Sequence, residues 1–141
     1  MSRLAKADIR YFALVGPKAV LKQRKIVAVV DDDSSMLNAA KDLLDASGFA
    51  TRLFTSAEEF LDKGAASQVD YLLLDIHLGG LSGIELCRQI KASGSTVPVI
   101  FMTALDNEVV RAQALKSGCV AYLRKPFQAS QLINAIEKAV R

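Results

Sequence analysis

Four short apolar runs each deliver a polar group suited to phosphate chemistry. Val27-Ala28-Val29-Val30 leads into Asp31, Asp32 and Asp33, and Tyr71-Leu72-Leu73-Leu74 leads into Asp75. Val99-Ile100-Phe101-Met102 leads into Thr103, and Cys119-Val120-Ala121-Tyr122-Leu123 leads through Arg124 to Lys125-Pro126. Carboxylates, a hydroxyl and an ammonium are the groups needed to hold a cation and a phosphoryl group, provided they meet in space. The runs explain how they would meet. Short continuous stretches of Val, Ile and Leu read as strands buried on both faces, the mark of a parallel sheet covered by helices. All strands of such a sheet point one way, so their C-terminal ends share the edge where ligands bind.

The elements that must position these groups follow from periodicity and punctuation. Strands are predicted near 26–31, 50–54, 70–75, 97–102 and 119–123. A first helix from Ser34 to Ser47 presents Met36, Ala40, Leu43, Leu44 and Ser47 on one face and stops at Gly48. Ser56-Ala57-Glu58-Glu59 has the form of a capping box opening a short second helix. A third helix runs from about Ile84 to Ser93. A fourth, from about Asn107 to Ser117, has only Val110 and Ala114 as an apolar face, which predicts shallow packing. A fifth carries a full amphipathic stripe of Leu132, Ile133, Ile136, Ala139 and Val140. Strand-helix alternation with right-handed crossovers gives an open α/β sheet.

Composition bounds the function. A chain of 141 residues, 51% hydrophobic and 23% charged, is suited to one domain with a real core and lacks a disordered bias. The net charge of +3 is unevenly placed. Residues 1–24 carry six basic side chains against Asp8 alone, leaving residues 25–141 at −2. The sequence pI of about 8.9 is therefore no argument for nucleic-acid binding by the domain. Residues 1–24 read as a basic leader, either disordered or an extra helix, and the domain as 25–141. The leader's apolar stretch Tyr11–Val15 is too short for a signal peptide and is interrupted by Gly16-Pro17. No run approaches the ~20 apolar residues of a membrane helix. Cys87 and Cys119 lack a CxxC spacing and read as reduced thiols of a cytoplasmic protein.

Asp31-Asp32, Asp75, Thr103-Ala104 and Lys125-Pro126-Phe127, in this order on successive strand ends, resemble the receiver domain of two-component response regulators. The resemblance covers about residues 25–141. It implies a flavodoxin-like (βα)5 fold, with a five-stranded parallel sheet in order 2-1-3-4-5 and helices on both faces.

The chemistry accounts for the residue types. Carboxylates within ~4 Å repel by ~1 kcal/mol per pair in water and ~4 at an effective dielectric of 20. Such a cluster protonates unless a cation neutralises it, and all-oxygen ligation suits Mg²⁺. The resemblance implies that Asp32 and Asp75 ligate Mg²⁺ directly, that Asp31 acts mainly through water, and that the His77 backbone carbonyl completes the set. It implies Asp75 as the nucleophile that becomes an acyl phosphate, with Thr103, Ala104 and Lys125 cradling the phosphoryl group. Thr103 and Tyr122 would form the switch, and Lys125-Pro126 would be a cis peptide. Asp33 reads as a helix N-terminal charge rather than a third ligand. His77, the sole histidine, reads as a surface residue flanking the site, so the chain has no phosphohistidine relay of its own.

Three positions depart from the family pattern: Gly79 replaces the usual proline, Leu105 is apolar where many members are polar, and Gln128 replaces an acidic or hydroxyl cap. Gly79 predicts a looser loop after Asp75. The expected function is a phosphorylation-dependent switch fed by a histidine kinase or histidine phosphotransfer protein. It would act on a downstream protein, or dimerise, through the helix 4/strand 5/helix 5 face. It is no turnover enzyme beyond its own phosphorylation and dephosphorylation. One alternative is the isolated regulatory part of a DNA-binding transcriptional regulator. The Phe54–Leu61 segment resembles receivers joined to such output domains, although the chain ends at Arg141, where the fifth helix is expected to end. Another is an aspartyl-phosphate hydrolase of the haloacid dehalogenase type, which carries DxDxT on its first strand. Here that strand ends Asp31-Asp32-Asp33-Ser34-Ser35.

Overall fold

The computed structural model describes residues 24–139. The proposed leader up to residue 23, and Val140, lie outside them. The chain alternates strictly: β1 (Ile26–Val30), α1 (Ser34–Ala46), β2 (Ala50–Phe54), α2 (Ala57–Asp62), β3 (Tyr71–Asp75), α3 (Gly83–Ala92), β4 (Val99–Thr103), α4 (Glu108–Lys116), β5 (Ala121–Arg124) and α5 (Ala129–Ala139). A single 3-10 turn, Ala65–Ser67, precedes β3. The strands form one parallel sheet in the order β2-β1-β3-β4-β5. Val30 is level with Leu74, Leu74 with Phe101, and Thr103 with Arg124, so the polar residues after each run reach one edge together.

Every residue of β3 and β4 is buried, as are Val27–Val30 of β1. Alternate residues feed two cores. Ala28, Val30, Leu72, Leu74 and Phe101 pack on the α2–α3 side with Phe60, Leu86 and Ile90. Val27, Val29, Leu73, Ile100 and Met102 pack with Leu37, Leu44, Leu132 and Ile136 on the α1–α5 side. Burial of this kind removes apolar surface from water at roughly 25 cal/mol per Å².

Local signals set the helix starts. The Asp33 carboxylate accepts the Ser35 N–H at 2.9 Å, so Asp33 is the N-cap of α1. Ser56 caps α2 by accepting the Glu59 N–H, while Glu59 reaches back to the Thr55 N–H at 2.8 Å. The start of α3 is pressed against the site: a Cβ on Gly83 would lie 2.1 Å from the Asp75 carbonyl oxygen, so only glycine fits.

Some boundaries differ from expectation. β1 stops at Val30, β4 begins at Val99, and β5 covers Ala121–Arg124, leaving Cys119 and Val120 ahead of it. The overreaching residues sit just past the regular ladder and still bond across it, Asp31 N–H to the Phe54 carbonyl and Val120 N–H to the Val99 carbonyl, so the boundary falls one or two residues inside each run. On α1 the buried stripe is Leu37, Ala40 and Leu44. Met36 sits at its margin, and Ser47, the C-cap, is exposed.

Candidate functional site

β1 and β3 are neighbours, so their ends bring carboxylates together. Asp31, Asp32 and Asp75 each offer an oxygen within 4.8 Å of the others. Asp31 is fully buried, Asp75 is 5% exposed and Asp32 faces solvent. Asp31 is held by its own N–H, which donates to the Phe54 carbonyl at 3.1 Å, and by accepting the Asp33 N–H at 2.9 Å. Asp32 accepts the Gly79 N–H at 3.2 Å. The His77 N–H lies 3.4 Å from Asp75 Oδ1, and the His77 side chain is exposed beside the site.

Lys125 arrives from the far side of the sheet. Its N–H donates to the Thr103 carbonyl at 2.8 Å, and the bond to Pro126 is cis. Its ammonium lies 2.6 Å from Asp31 Oδ2 and 3.4 Å from Asp75 Oδ2. Burial opposes the ammonium, but the two carboxylates outweigh it and raise its pKa. The same burial, reinforced by the charge of Asp31 and only partly offset by Lys125, lifts Asp75 from 3.8 to about 6. A carboxyl so displaced is a common mark of a working site. Three carboxylates with one ammonium leave net negative charge, and this oxygen-only donor set matches a hard cation such as Mg²⁺.

Thr103 is fully buried at the end of β4, with its Oγ1 accepting the Leu105 N–H at 3.0 Å. Ala104 follows it, exposed at the sheet edge. The family model described as the response regulator receiver domain matches residues 27–137. This chain belongs to the response-regulator receiver family. FixJ of Bradyrhizobium diazoefficiens is 36% identical over 115 residues, covering 82% of this chain and 56% of FixJ. TodT of Pseudomonas putida is 29% identical over 132 residues, covering 94% and 58%. The chain thus spans a little over half the length of these curated relatives. The crystal structure of FixJ-N superposes with a TM-score of 0.75 at 32% identity, covering 84% of this chain and 94% of that one. The BeF3-activated DrrB receiver domain does so at 0.75 and 28%, covering 82% and 97%.

In this receiver Tyr122 is half-buried on β5, turned towards Asp106, to which its hydroxyl donates at 3.1 Å. Arg111 lies 5.2 Å from the ring centroid and pairs with Asp106 at 2.8 Å. Burial first, then the Asp106 bond, push the phenol pKa up. Contacts that the sequence did not single out are those of the loop after Asp75. Gly79 donates to Asp32, and the Leu81 N–H donates to Glu58 Oε2 at 3.0 Å. The expected looseness of this loop is thus met by ties at two points. The glycine replacing proline was the one available signal, because a proline at 79 has no N–H to give.

Proposed function

We propose that this receiver is a phosphorylation-dependent switch whose acceptor is Asp75. The observation that carries the reading is a nearly buried carboxylate at the end of the central strand, held between the Lys125 ammonium and a second carboxylate. An Asp75 oxygen attacks phosphorus, the bond from phosphorus to the donor's leaving nitrogen breaks, and the product is an acyl phosphate. Lys125 neutralises charge on the transferred oxygens, and Thr103 with the Ala104 N–H supplies hydrogen bonds to them. Asp32 and Asp75, with help from Asp31 and the His77 carbonyl, would hold Mg²⁺, which supplies further positive charge to the phosphoryl oxygens.

Response regulators receive their phosphoryl groups from histidine kinases, and a kinase or phosphotransfer protein is the donor proposed for this chain. The added charge draws Thr103 towards the phosphoryl group, frees Tyr122 to turn inward, and shifts α4 and its flank towards a form that a partner or second copy recognises. This is a cytoplasmic signalling domain, with residues 25–141 as the receiver and 1–24 as a separate leader.

The test is incubation with Mg²⁺ and a small phosphodonor, followed by intact-mass measurement. Wild type is expected to gain one phosphoryl group and Asp75→Asn none; a persistent gain in the variant overturns the assignment. Asp32→Ala is expected to lose Mg²⁺ binding in a titration while remaining folded.

A second reading is the regulatory part of a DNA-binding transcriptional regulator. FixJ is named a transcriptional regulatory protein, and the chain covers just over half of it. Sequence of the gene beyond codon 141 tests this directly.

A further inference from the structure

Three consecutive residues of the loop after Asp75 bridge two separate elements. At one end the Gly79 N–H donates to Asp32 Oδ2 at 3.2 Å, across 47 positions of sequence. At the other the Leu81 N–H donates to Glu58 Oε2 at 3.0 Å, across 23 positions. Glu58 stands in the first turn of α2, whose start is fixed by the Ser56 cap. Between the two, Gly80 has φ +98°, and a Cβ there would come within 3.0 Å of the Glu58 carboxylate. The backbone passes that close because residue 80 is glycine.

We propose that Gly79–Leu81 is a strap that orients Asp32 for cation binding, and that Glu58 is the positioning residue that holds the strap in place. The inference rests on the Mg²⁺ reading given above. Asp32 is exposed, so its side chain is otherwise free to rotate away from Asp31 and Asp75. A carboxylate has room for several partners: Oδ2 accepts the N–H while the remaining lone pairs face the cation. Partners of this kind fix the ligand's orientation and tune affinity without touching the metal. The device depends on glycine at 79, since proline would remove the donor and leave Asp32 to solvent. Glu58 adds to it in a way that its place in the capping sequence did not announce.

Four variants separate positioning from charge. Gly79→Pro removes the donor. Gly79→Ala keeps it, and the added Cβ would sit 3.8 Å from Asp32 Oδ2, an ordinary contact. Glu58→Ala frees the far end of the strap, whereas Glu58→Gln keeps an acceptor oxygen and drops only the charge. Mg²⁺ affinity is measured by calorimetric titration of the phosphate-free protein. Gly79 amide exchange is followed by NMR without metal. Gly79→Pro and Glu58→Ala are expected to weaken Mg²⁺ binding roughly threefold to tenfold, less than the 10–100-fold typical of such partners because Asp32 is the one exposed carboxylate of the three. Gly79→Ala and Glu58→Gln are expected to stay close to wild type, and Glu58→Ala to speed exchange of the Gly79 N–H. Wild-type affinity in Gly79→Pro, with binding lost in Asp32→Ala, overturns the strap and leaves the metal reading intact. Equal losses in Glu58→Gln and Glu58→Ala reduce Glu58 to a distant charge and overturn its positioning role. A wild type that takes up no Mg²⁺ overturns both readings.

Discussion

The centre of the sheet and its α4 flank are built to different standards. β3 and β4 are buried along their whole length and end in Asp75 and Thr103. α4 buries only Ala114 and leaves Val109 68% and Leu115 58% exposed. Groups that do chemistry gain from a scaffold that does not yield, because small displacements cost much of the rate. An element that must change arrangement gains from shallow burial, since regions with few apolar contacts open at the least cost. The division lies between neighbouring pieces of one chain: Thr103 closes the buried sheet at the end of β4, while Tyr122 is tied to Asp106 at the α4 end, so the two switch residues stand on either side of the boundary.

The strongest way to break this contrast is to compare truncations. Phe101→Ala, in the fully buried middle of β4, is expected to cost about 3–5 kcal/mol in urea unfolding. Leu115→Ala is expected to fall within about 0.5 kcal/mol of wild type. Similar losses in the two would show that α4 is as firmly packed as the sheet.

A proton tests the centre by itself. Asp75 titrates near 3.8 when unfolded and near 6 when folded. Between these values the folded, metal-free protein holds a proton that the unfolded chain has released. Stability from this group therefore rises as pH falls through 6 and is lost as pH rises, by on the order of 2 kcal/mol once solvent screening is allowed for. Asp45, Glu59 and Asp106 have lowered pKa values, through Lys41, the Thr55 N–H and Arg111 first among their causes, and act with the opposite sign. The contribution of Asp75 is isolated by subtracting the pH profile of Asp75→Asn from that of wild type. Parallel profiles would mean that Asp75 is not strained by its surroundings.

Leu105 stands at the junction of the two regions and sharpens the comparison at its smallest scale. It is 61% exposed, and its N–H is bound to Thr103 Oγ1. An apolar side chain there offers no hydrogen bond to a water attacking the acyl phosphate. Leu105→Glu is expected to hasten loss of the phosphoryl group by up to about tenfold, or ~1.4 kcal/mol in the barrier. The readout is decay of phospho-Asp75 at constant Mg²⁺; unchanged decay would place water control elsewhere.

Much of the centre was legible because it is the part where local pattern and burial agree. Runs such as Tyr71–Leu74 and Val99–Met102 have no reading other than a two-faced strand or a buried helix, and their lengths decide for strand. That the acidic groups share one edge followed from strand direction, and that β1 lies beside β3 from the resemblance to receivers. The stripe of α1 was misjudged because Met36 and Leu37 are both apolar and periodicity cannot choose between adjacent positions. The contacts from Gly79 to Asp32, Leu81 to Glu58 and Tyr122 to Asp106 were not legible. The first two use backbone N–H groups, which every residue but proline has. The third joins side chains 16 positions apart whose meeting depends on how α4 sits. The glycine at 83 likewise has no local signature, because its reason is the Asp75 carbonyl beneath it.

The ion pair between Lys125 and Asp31 joins residues 94 positions apart, at the ends of the first and last strands of the sheet. The ribosome makes them in that order, at about 5–20 residues per second. Through most of the receiver's synthesis the carboxylates of β1 and β3 exist without the ammonium that balances them. The counter-charge is the last part of the site to be made, so a nascent chain lacking β5 carries the carboxylate proposed as acceptor without the ammonium beside it. On the reading proposed for Asp75, completion of the sheet is itself the first condition the signal must meet.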